Sequence, residues 1–247
     1  MSNFARIAIA AAAVLAVAVV GIKVLPGGSQ VGGPGPSPTP TPSPIPLPTG
    51  SLAPATTYTV SDPGSIAGSR LTWTVPAAGW LSIDATGIIE KHDLAGQGSV
   101  LDVAISTWMI DNVYTDACHW NGTALAPPVG PTAADLAKAL VAEPRSGASP
   151  PTDVTVGGYP AKRLELSAPA GLDLTTCDRG GQLGRWFWSG DPSNGVPYTY
   201  GAGQRNVVYI VDVAGKRQVI DTMYLPGTSA KDLAELQAVV DSIVITP

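Results

Sequence analysis

The sequence predicts an α+β fold, in which a single domain has an antiparallel β-sheet flanked by two or more α-helices. Three observations lead to this class. A hairpin pattern lies near the end of the chain, and two segments carry apolar stripes with helical spacing. Other apolar residues fall in short strands between Gly- and Pro-containing turns. Hairpins imply antiparallel pairing, so the amphipathic helices should cover the sheet.

The closing hairpin has the clearest pattern. Its first strand contains the β-branched and aromatic run at 207–213, which should be buried on both faces. Ala214-Gly215 then predicts a tight turn, because Gly215 can take a positive φ at no steric cost. A second strand runs from Lys216 to Leu225, and Pro226-Gly227 stops it.

A helix and a short strand follow the hairpin. Ser229 and Asp232 have the spacing of an N-capping box. Apolar residues then recur at helical intervals, at Leu233, Leu236, Val240 and Ile243, before a final strand that reaches Ile245. The helix therefore has one apolar stripe that needs a sheet to pack against.

Strands dominate the first half of the domain. The pattern predicts a strand at Leu71–Val75 and strand material at Trp80–Ile89 that bends near Thr86-Gly87. The segment Val100–Met109 alternates, which predicts a strand with one face in the core and Asp102, Ala104 and Ser106 on the other face.

A helix and another hairpin lie in the middle of the domain. Thr132 and Asp135 open the helix, and Glu143-Pro144 ends it, because the residue before a proline avoids helical geometry. A hairpin follows, with strands at 154–156 and 161–168, and Leu164 and Leu166 should point inward from it. Residues 171–205 are rich in glycine and show no period.

Two segments resemble a known family. The run Leu71-Thr72-Trp73-Thr74-Val75-Pro76-Ala77-Ala78-Gly79-Trp80 is similar to the opening of Mog1/PsbP-like domains. The end, Val240-Asp241-Ser242-Ile243-Val244-Ile245, resembles that of bacterial exported LpqN-like members. The resemblance implies a Mog1/PsbP-like α/β/α sandwich and a partner-binding role without shared catalytic residues.

The N-terminal region predicts a membrane anchor. Residues 7–25 form an apolar run of the length that crosses a bilayer core of about 30 Å as a helix. This run is either a signal-anchor or a signal peptide cleaved near Ala16-Val17-Ala18. Residues 1–6 are expected in the cytoplasm, since Arg6 and the start amine precede the span and only Lys23 lies at its other end.

A proline-rich linker at 26–56 separates this anchor from the domain at 57–247. Every even-numbered residue from Pro34 to Pro48 is proline, which favours an extended polyproline II spacer. The expected localisation is the cell membrane, single-pass, with the C-terminal domain outside the cytoplasm, or secreted if the N-terminal segment is cleaved.

Charge excludes two classes of partner. All 19 acidic residues lie after Ser61, but only 12 of the 14 basic ones do. Nucleic acids and anionic membrane surfaces bind to clustered Lys and Arg, and this acidic domain has no such cluster. We therefore expect no nucleic acid, and contact with the membrane through the N-terminal helix only.

The two cysteines have two interpretations. Outside the cytoplasm an even count favours a disulfide between Cys118 and Cys177. The alternative is a metal site with His119 and Asp178, but adjacent ligands such as Cys118 and His119 cannot easily face one ion. The disulfide is the prediction, with no metal and no cofactor.

Aromatic residues give the one functional hint. Trp186, Trp188, Tyr198 and Tyr200 lie close together near Arg185 on the glycine-rich segment, and exposed Trp, Tyr and Arg are typical of binding hot spots. The alternative is that Trp186 and Trp188 fill the core, with Phe187 on the opposite side.

These patterns favour a membrane-tethered extracytoplasmic binding or interaction module without catalytic activity. No nucleophile, P-loop or dinucleotide motif is present, and the domain has only two histidines. The partner would be a cell-envelope protein or a glycan. Two alternatives remain: an extracytoplasmic hydrolase with a dispersed site, and a structural or sensor component of a cell-envelope complex.

Overall fold

The structure is a computed structural model that describes residues 43–60, 69–85, 87–92, 102–187, 191–194 and 203–247. The chain divides into Met1–Thr41 and a compact unit, Pro42–Pro247. The predicted anchor at 7–25 lies outside the described residues. Among the residues that are described, no helix combines the length and the apolar character needed to cross a bilayer.

Fourteen strands are described in the compact unit. The first eight are β1 Ile45–Pro46, β2 Gly50–Ser51, β3 Thr56–Val60, β4 Arg70–Val75, β5 Trp80–Ser82, β6 Ile88–Lys91, β7 Val103–Trp108 and β8 Asn112–Val113. The others are β9 Thr152–Val156, β10 Tyr159–Ser167, β11 Trp186–Phe187, β12 Arg205–Val213, β13 Lys216–Tyr224 and β14 Val244–Thr246.

The helices are α1 Ala133–Ala142, the short α2 Asp178–Gly181, and α3 Ala230–Asp241. Both long helices begin as the sequence predicts. Thr132 and Asp135 form a capping box at α1, and the Ser229 hydroxyl accepts a hydrogen bond from the Asp232 amide at the start of α3. These caps satisfy amide groups that the first turn of a helix leaves without partners.

An antiparallel sheet of eight strands forms the centre of the unit, in the order β2-β5-β6-β7-β13-β12-β10-β9. A four-stranded sheet has the order β1-β3-β4-β14, and β11 pairs with β8. The closing hairpin is confirmed, since β12 and β13 pair along their full length. Ala214 and Gly215 both have positive φ in its turn, which matches the twist of the strands.

The large sheet is buried on both faces. On one face Tyr209 and Val211 pack in a core with α3 and the four-stranded sheet. On the other face Val208 and Ile210 pack with Leu136 and Leu140 of α1. The fold is therefore α+β, with the two long helices on opposite sides of an antiparallel sheet.

Three sequence predictions need correction. Trp80–Ile89 is not one bent strand, because β5 and β6 pair as a hairpin. Strand β7 is buried on both faces because both faces of the large sheet are covered, and Ser106 on β7 and Asp102 just before it are each 2% exposed. The compact unit also starts before residue 57, because Leu47 and Leu52 already lie in the core.

Candidate functional site

The residues predicted to bind a ligand divide into two groups. Trp188, Tyr198 and Tyr200 lie outside the described residues. Trp186 and Arg185 are described, and they are 3% and 4% exposed. Trp186 packs in the core under α1, which agrees with the alternative that this ring fills space. A ligand face made by the other three aromatic residues stays a prediction.

The disulfide is confirmed. Cys118 and Cys177 are joined, and both are buried beside Leu183. The Asp178 amide also donates to the Cys118 carbonyl at 2.9 Å. The disulfide and this hydrogen bond together fix the loop around Trp120 to the start of α2. Both sulfur atoms form the disulfide, so neither is available as a thiolate ligand for the alternative metal site. Within the described part of the chain, no three metal-binding side chains form a group.

Arg185 is a buried cation that interacts electrostatically with two buried carboxyl groups, those of Glu143 and Asp221. Its Nε donates to the Ser146 carbonyl at 2.7 Å. Burial lowers the pKa of Arg185, while the charges of Glu143 and Asp221 oppose that change. Burial also raises the pKa of Glu143 well above its ordinary value, and neither Glu143 oxygen accepts a hydrogen bond from the residues that the structure describes. Three ionisable groups, Arg185, Glu143 and Asp221, are therefore buried on the side of the sheet that α1 covers.

Asp221 is the member of this cluster held by the sheet itself. It lies on β13, and the Asn206 side chain donates to its two oxygens at 3.0 and 3.1 Å. Gln204 in turn donates to Asn206 at 2.8 Å. Burial raises the pKa of Asp221 to about 7, although the hydrogen bonds from Asn206 and the charge of Arg185 lower it. Asp221 can thus gain or lose a proton near neutral pH.

We expect this carboxyl group to make stability depend on pH. The native pKa of about 7 exceeds the ordinary 3.8, so the native state binds the proton more tightly than the unfolded state. The free energy of unfolding should fall as pH rises from about 4 to about 7, by up to about 1.4 kcal/mol per pH unit. Asp221→Asn should flatten this slope in urea unfolding measured across that range.

The matched control is Asp153→Asn, whose carboxylate is 84% exposed. It should keep the slope of the wild type. Glu143 contributes in the same direction, so a shallower slope is expected to remain in Asp221→Asn. An unchanged slope in that variant would show that Asp221 ionises equally in both states.

A groove lies on the opposite face of the sheet, between α3 and strands β10, β12 and β13. We call it the α3 groove. It consists of two adjoining cavities of about 210 and about 380 Å³. Helix α3 contributes Leu233, Leu236, Gln237, Val240 and Asp241, and the sheet contributes Arg163, Val207, Tyr209, Thr222 and Tyr224. The larger cavity extends to β9 and the turn after it, at Val154, Thr155, Val156 and Gly157.

The two ends of the α3 groove differ in character. The smaller cavity is lined by Leu233, Leu236 and Tyr224, so its walls are mostly apolar. In the larger cavity, the Gln237 side chain donates to the Asp241 carboxylate at 2.8 Å, at the C-terminal end of α3. Between the ends, both cavities share Arg163 and Tyr209.

Arg163 provides the charge in the middle of the groove. Its guanidinium donates to Glu165 at 2.8 Å, and it also contacts the Tyr209 hydroxyl. The hydrogen bond to Glu165 raises the pKa of Arg163, which keeps it charged. The groove thus combines apolar and aromatic walls with a few polar groups, a composition typical of ligand-binding pockets.

Sequence reasoning did not find this groove. Leu233, Leu236 and Val240 have the periodicity of a core-facing stripe, and they do pack beside the core. The space between that stripe and the sheet depends on how closely the helix approaches β10 and β12. That distance follows from side chains far apart in the sequence, such as Arg163 and Gln237, and no local pattern encodes it.

No protein-family model matches the chain, and no curated protein matches it. A similar solved structure is the crystal structure of LpqN, involved in cell envelope biogenesis of Mycobacterium tuberculosis. It is 14% identical, with 77% of this chain and 91% of that chain covered and a TM-score of 0.37. The α+β architecture rests on the strands and helices of this chain.

Proposed function

We propose that this chain is a membrane-tethered extracytoplasmic binding module without catalytic activity, and that its ligand lies in the α3 groove. The groove supports the proposal because it combines concave apolar and aromatic walls with a few fixed polar groups. Binding sites for small molecules have this composition. The rigid sheet behind it, which is buried on both faces, would hold the lining residues in place.

The lining indicates the chemistry of the ligand. An apolar part would pack between Leu233, Leu236 and Tyr224, where it would remove apolar surface from water. A polar part would reach Arg163 and Gln237, which line both cavities and can offer hydrogen bonds. The proposed ligand is therefore an amphipathic molecule, either free or attached to a cell-envelope protein or glycan.

Other features support the extracytoplasmic placement and the tether. A buried disulfide is typical of proteins outside the cytoplasm. The apolar run at 7–25 would anchor the domain, and the proline-rich residues that precede the compact unit would hold it away from the membrane. We also propose that the helices on opposite faces of the sheet correspond to a Mog1/PsbP-like sandwich.

Filling the groove tests the proposal. Gln237 is exposed and lines both cavities, so Gln237→Trp should occupy the groove without disturbing the core. The probe is 1-anilinonaphthalene-8-sulfonate, which joins apolar rings to a polar anion. We expect fluorescence titration to show saturable binding to Pro42–Pro247 that Gln237→Trp weakens at least about tenfold, a loss of about 1.4 kcal/mol.

The control is Ala238→Trp, which adds the same ring at the next exposed position of α3, outside the groove lining. It should bind the probe as the wild type does. Circular dichroism should show both variants folded. Equal binding by the two variants would place the probe elsewhere, and the absence of saturable binding to the wild type would remove the support for a ligand site here.

A further inference from the structure

Lys91 is buried with two carboxyl groups, away from the α3 groove lining. It ends strand β6, and its side chain is 1% exposed. Its Nζ lies 2.6 Å from Asp232 Oδ1 and 2.9 Å from Glu235 Oε2. The Asp232 and Glu235 side chains are 5% and 11% exposed. An amine and a carboxyl group are thus held in contact where little water reaches them.

Further hydrogen bonds orient both carboxyl groups. The Ser229 hydroxyl donates to Asp232 Oδ2, whereas Lys91 Nζ donates to Oδ1. Trp80 Nε1 donates to Glu235 Oε2 at 3.2 Å, the same oxygen that Lys91 approaches. Asp232 and Glu235 are one turn apart on α3, so both face the same side of the helix. Each group in the cluster therefore has a fixed direction.

This arrangement has the parts of an acyl-transfer site. Transfer of one proton within the Lys91–Asp232 contact gives a neutral amine, which is a nucleophile, and a neutral acid, whose carbonyl carbon can be attacked. A second carboxylate within hydrogen-bond reach of the amine can carry its proton. A hydroxyl at the other carboxyl oxygen can stabilise the charge that develops there.

We propose that Lys91 and Asp232 condense to form an intramolecular isopeptide bond, with Glu235 transferring the proton. The Lys91 Nζ lone pair attacks Asp232 Cγ, and Glu235 takes a proton from the nitrogen. Glu235 then gives a proton to the departing Oδ1 hydroxyl, the Cγ–Oδ1 bond breaks, and one water molecule leaves. Oδ2 becomes the amide oxygen and keeps its hydrogen bond with Ser229. No other reactant is needed, and nothing is oxidised or reduced.

Fixed geometry favours this reaction. Amide formation is unfavourable between free groups in water, but well-oriented intramolecular reactions reach effective concentrations of about 10⁵–10⁸ M. Release of the water from a buried site also opposes the reverse step. The bond would join β6 to α3 across 141 residues of sequence, independently of any ligand in the α3 groove. It would link the large sheet covalently to the helix that covers it.

Peptide mapping by mass spectrometry of the purified full chain tests the bond. The expected product is a joined pair of peptides, one containing Lys91 and one containing Asp232, whose combined mass is lower by one water molecule. Recovery of the two peptides separately at their full masses would overturn the proposal and leave a buried ion pair. If the loss of one water molecule were found within a single peptide, as in an aspartyl succinimide, the proposal would be overturned as well.

Two variants separate the roles of the neighbouring groups. Glu235→Gln keeps the size of the side chain but cannot carry the proton, so the joined fraction in freshly purified protein should fall at least about tenfold. Lys231→Arg is the control, because Lys231 lies 3.6 Å from Glu235 but is 74% exposed. It should leave the joined fraction unchanged. An equal joined fraction in the two variants would show that Glu235 has no role in the reaction. Peptide mapping of the wild type tests the bond itself, whether or not a variant folds.

Discussion

Replacing Trp186 with alanine will lower the free energy of unfolding by about 3–5 kcal/mol, the usual loss for a buried aromatic side chain. The ring is 3% exposed and lies in the core with Leu136, Leu140 and Leu164. Its removal would leave a cavity between α1 and the sheet that these neighbours cannot fill without moving. Urea unfolding followed by circular dichroism measures the loss.

The control for this substitution is Val141→Ala. Val141 lies on the same helix but is 43% exposed, so its loss should change the free energy of unfolding by no more than about 0.5 kcal/mol. If Trp186→Ala were as stable as this control, the ring would have no packing role. The interpretation of Trp186 as part of a ligand face would then regain its support.

Local signals in the sequence identified the elements well. Thr132 with Asp135, and Ser229 with Asp232, start the two long helices because a capping box acts within four residues. The β12-β13 hairpin was equally predictable, since the turn at Ala214-Gly215 and the runs on either side specify it. Such features depend on neighbours in the sequence and need no knowledge of the fold.

The buried charges could not be predicted in the same way. Asp102 and Ser106 alternate with apolar residues, a pattern that normally places polar side chains in water, and the charged Asp221 is of a residue type that is mostly exposed. They are buried because β7 and β13 lie inside an eight-stranded sheet whose second face is also covered. Strand order and coverage are long-range properties, so periodicity alone cannot distinguish a solvated polar face from a buried polar cluster.

The candidate site shows the same limit. The sequence directed attention to the aromatic residues near Arg185, because clustered Trp and Tyr are visible in one short segment. The α3 groove instead brings together Arg163, Tyr209, Tyr224 and Gln237 from three strands and a helix. Only the packing of α3 against the sheet makes these residues neighbours.

Replacing both Cys118 and Cys177 with alanine will lower the free energy of unfolding by about 4 kcal/mol. The bond spans 59 residues, and closing a loop of this length restricts the unfolded chain by roughly that amount. For a unit of this size we expect the melting temperature to fall by about 8–16 °C. Denaturant unfolding with and without a reducing agent measures the effect.

Comparison under the two redox conditions separates the cross-link from the packing of the sulfur atoms. Reduction should destabilise the wild type nearly to the level of the double variant, and it should not affect the double variant. Loss of the bond should also loosen the contact of Arg179 with the Trp120 ring, whose centroid lies 4.6 Å away, because the Asp178–Cys118 hydrogen bond would no longer be supported. A double variant as stable as the oxidised wild type would mean that these surrounding contacts, and not the disulfide, hold the two segments together.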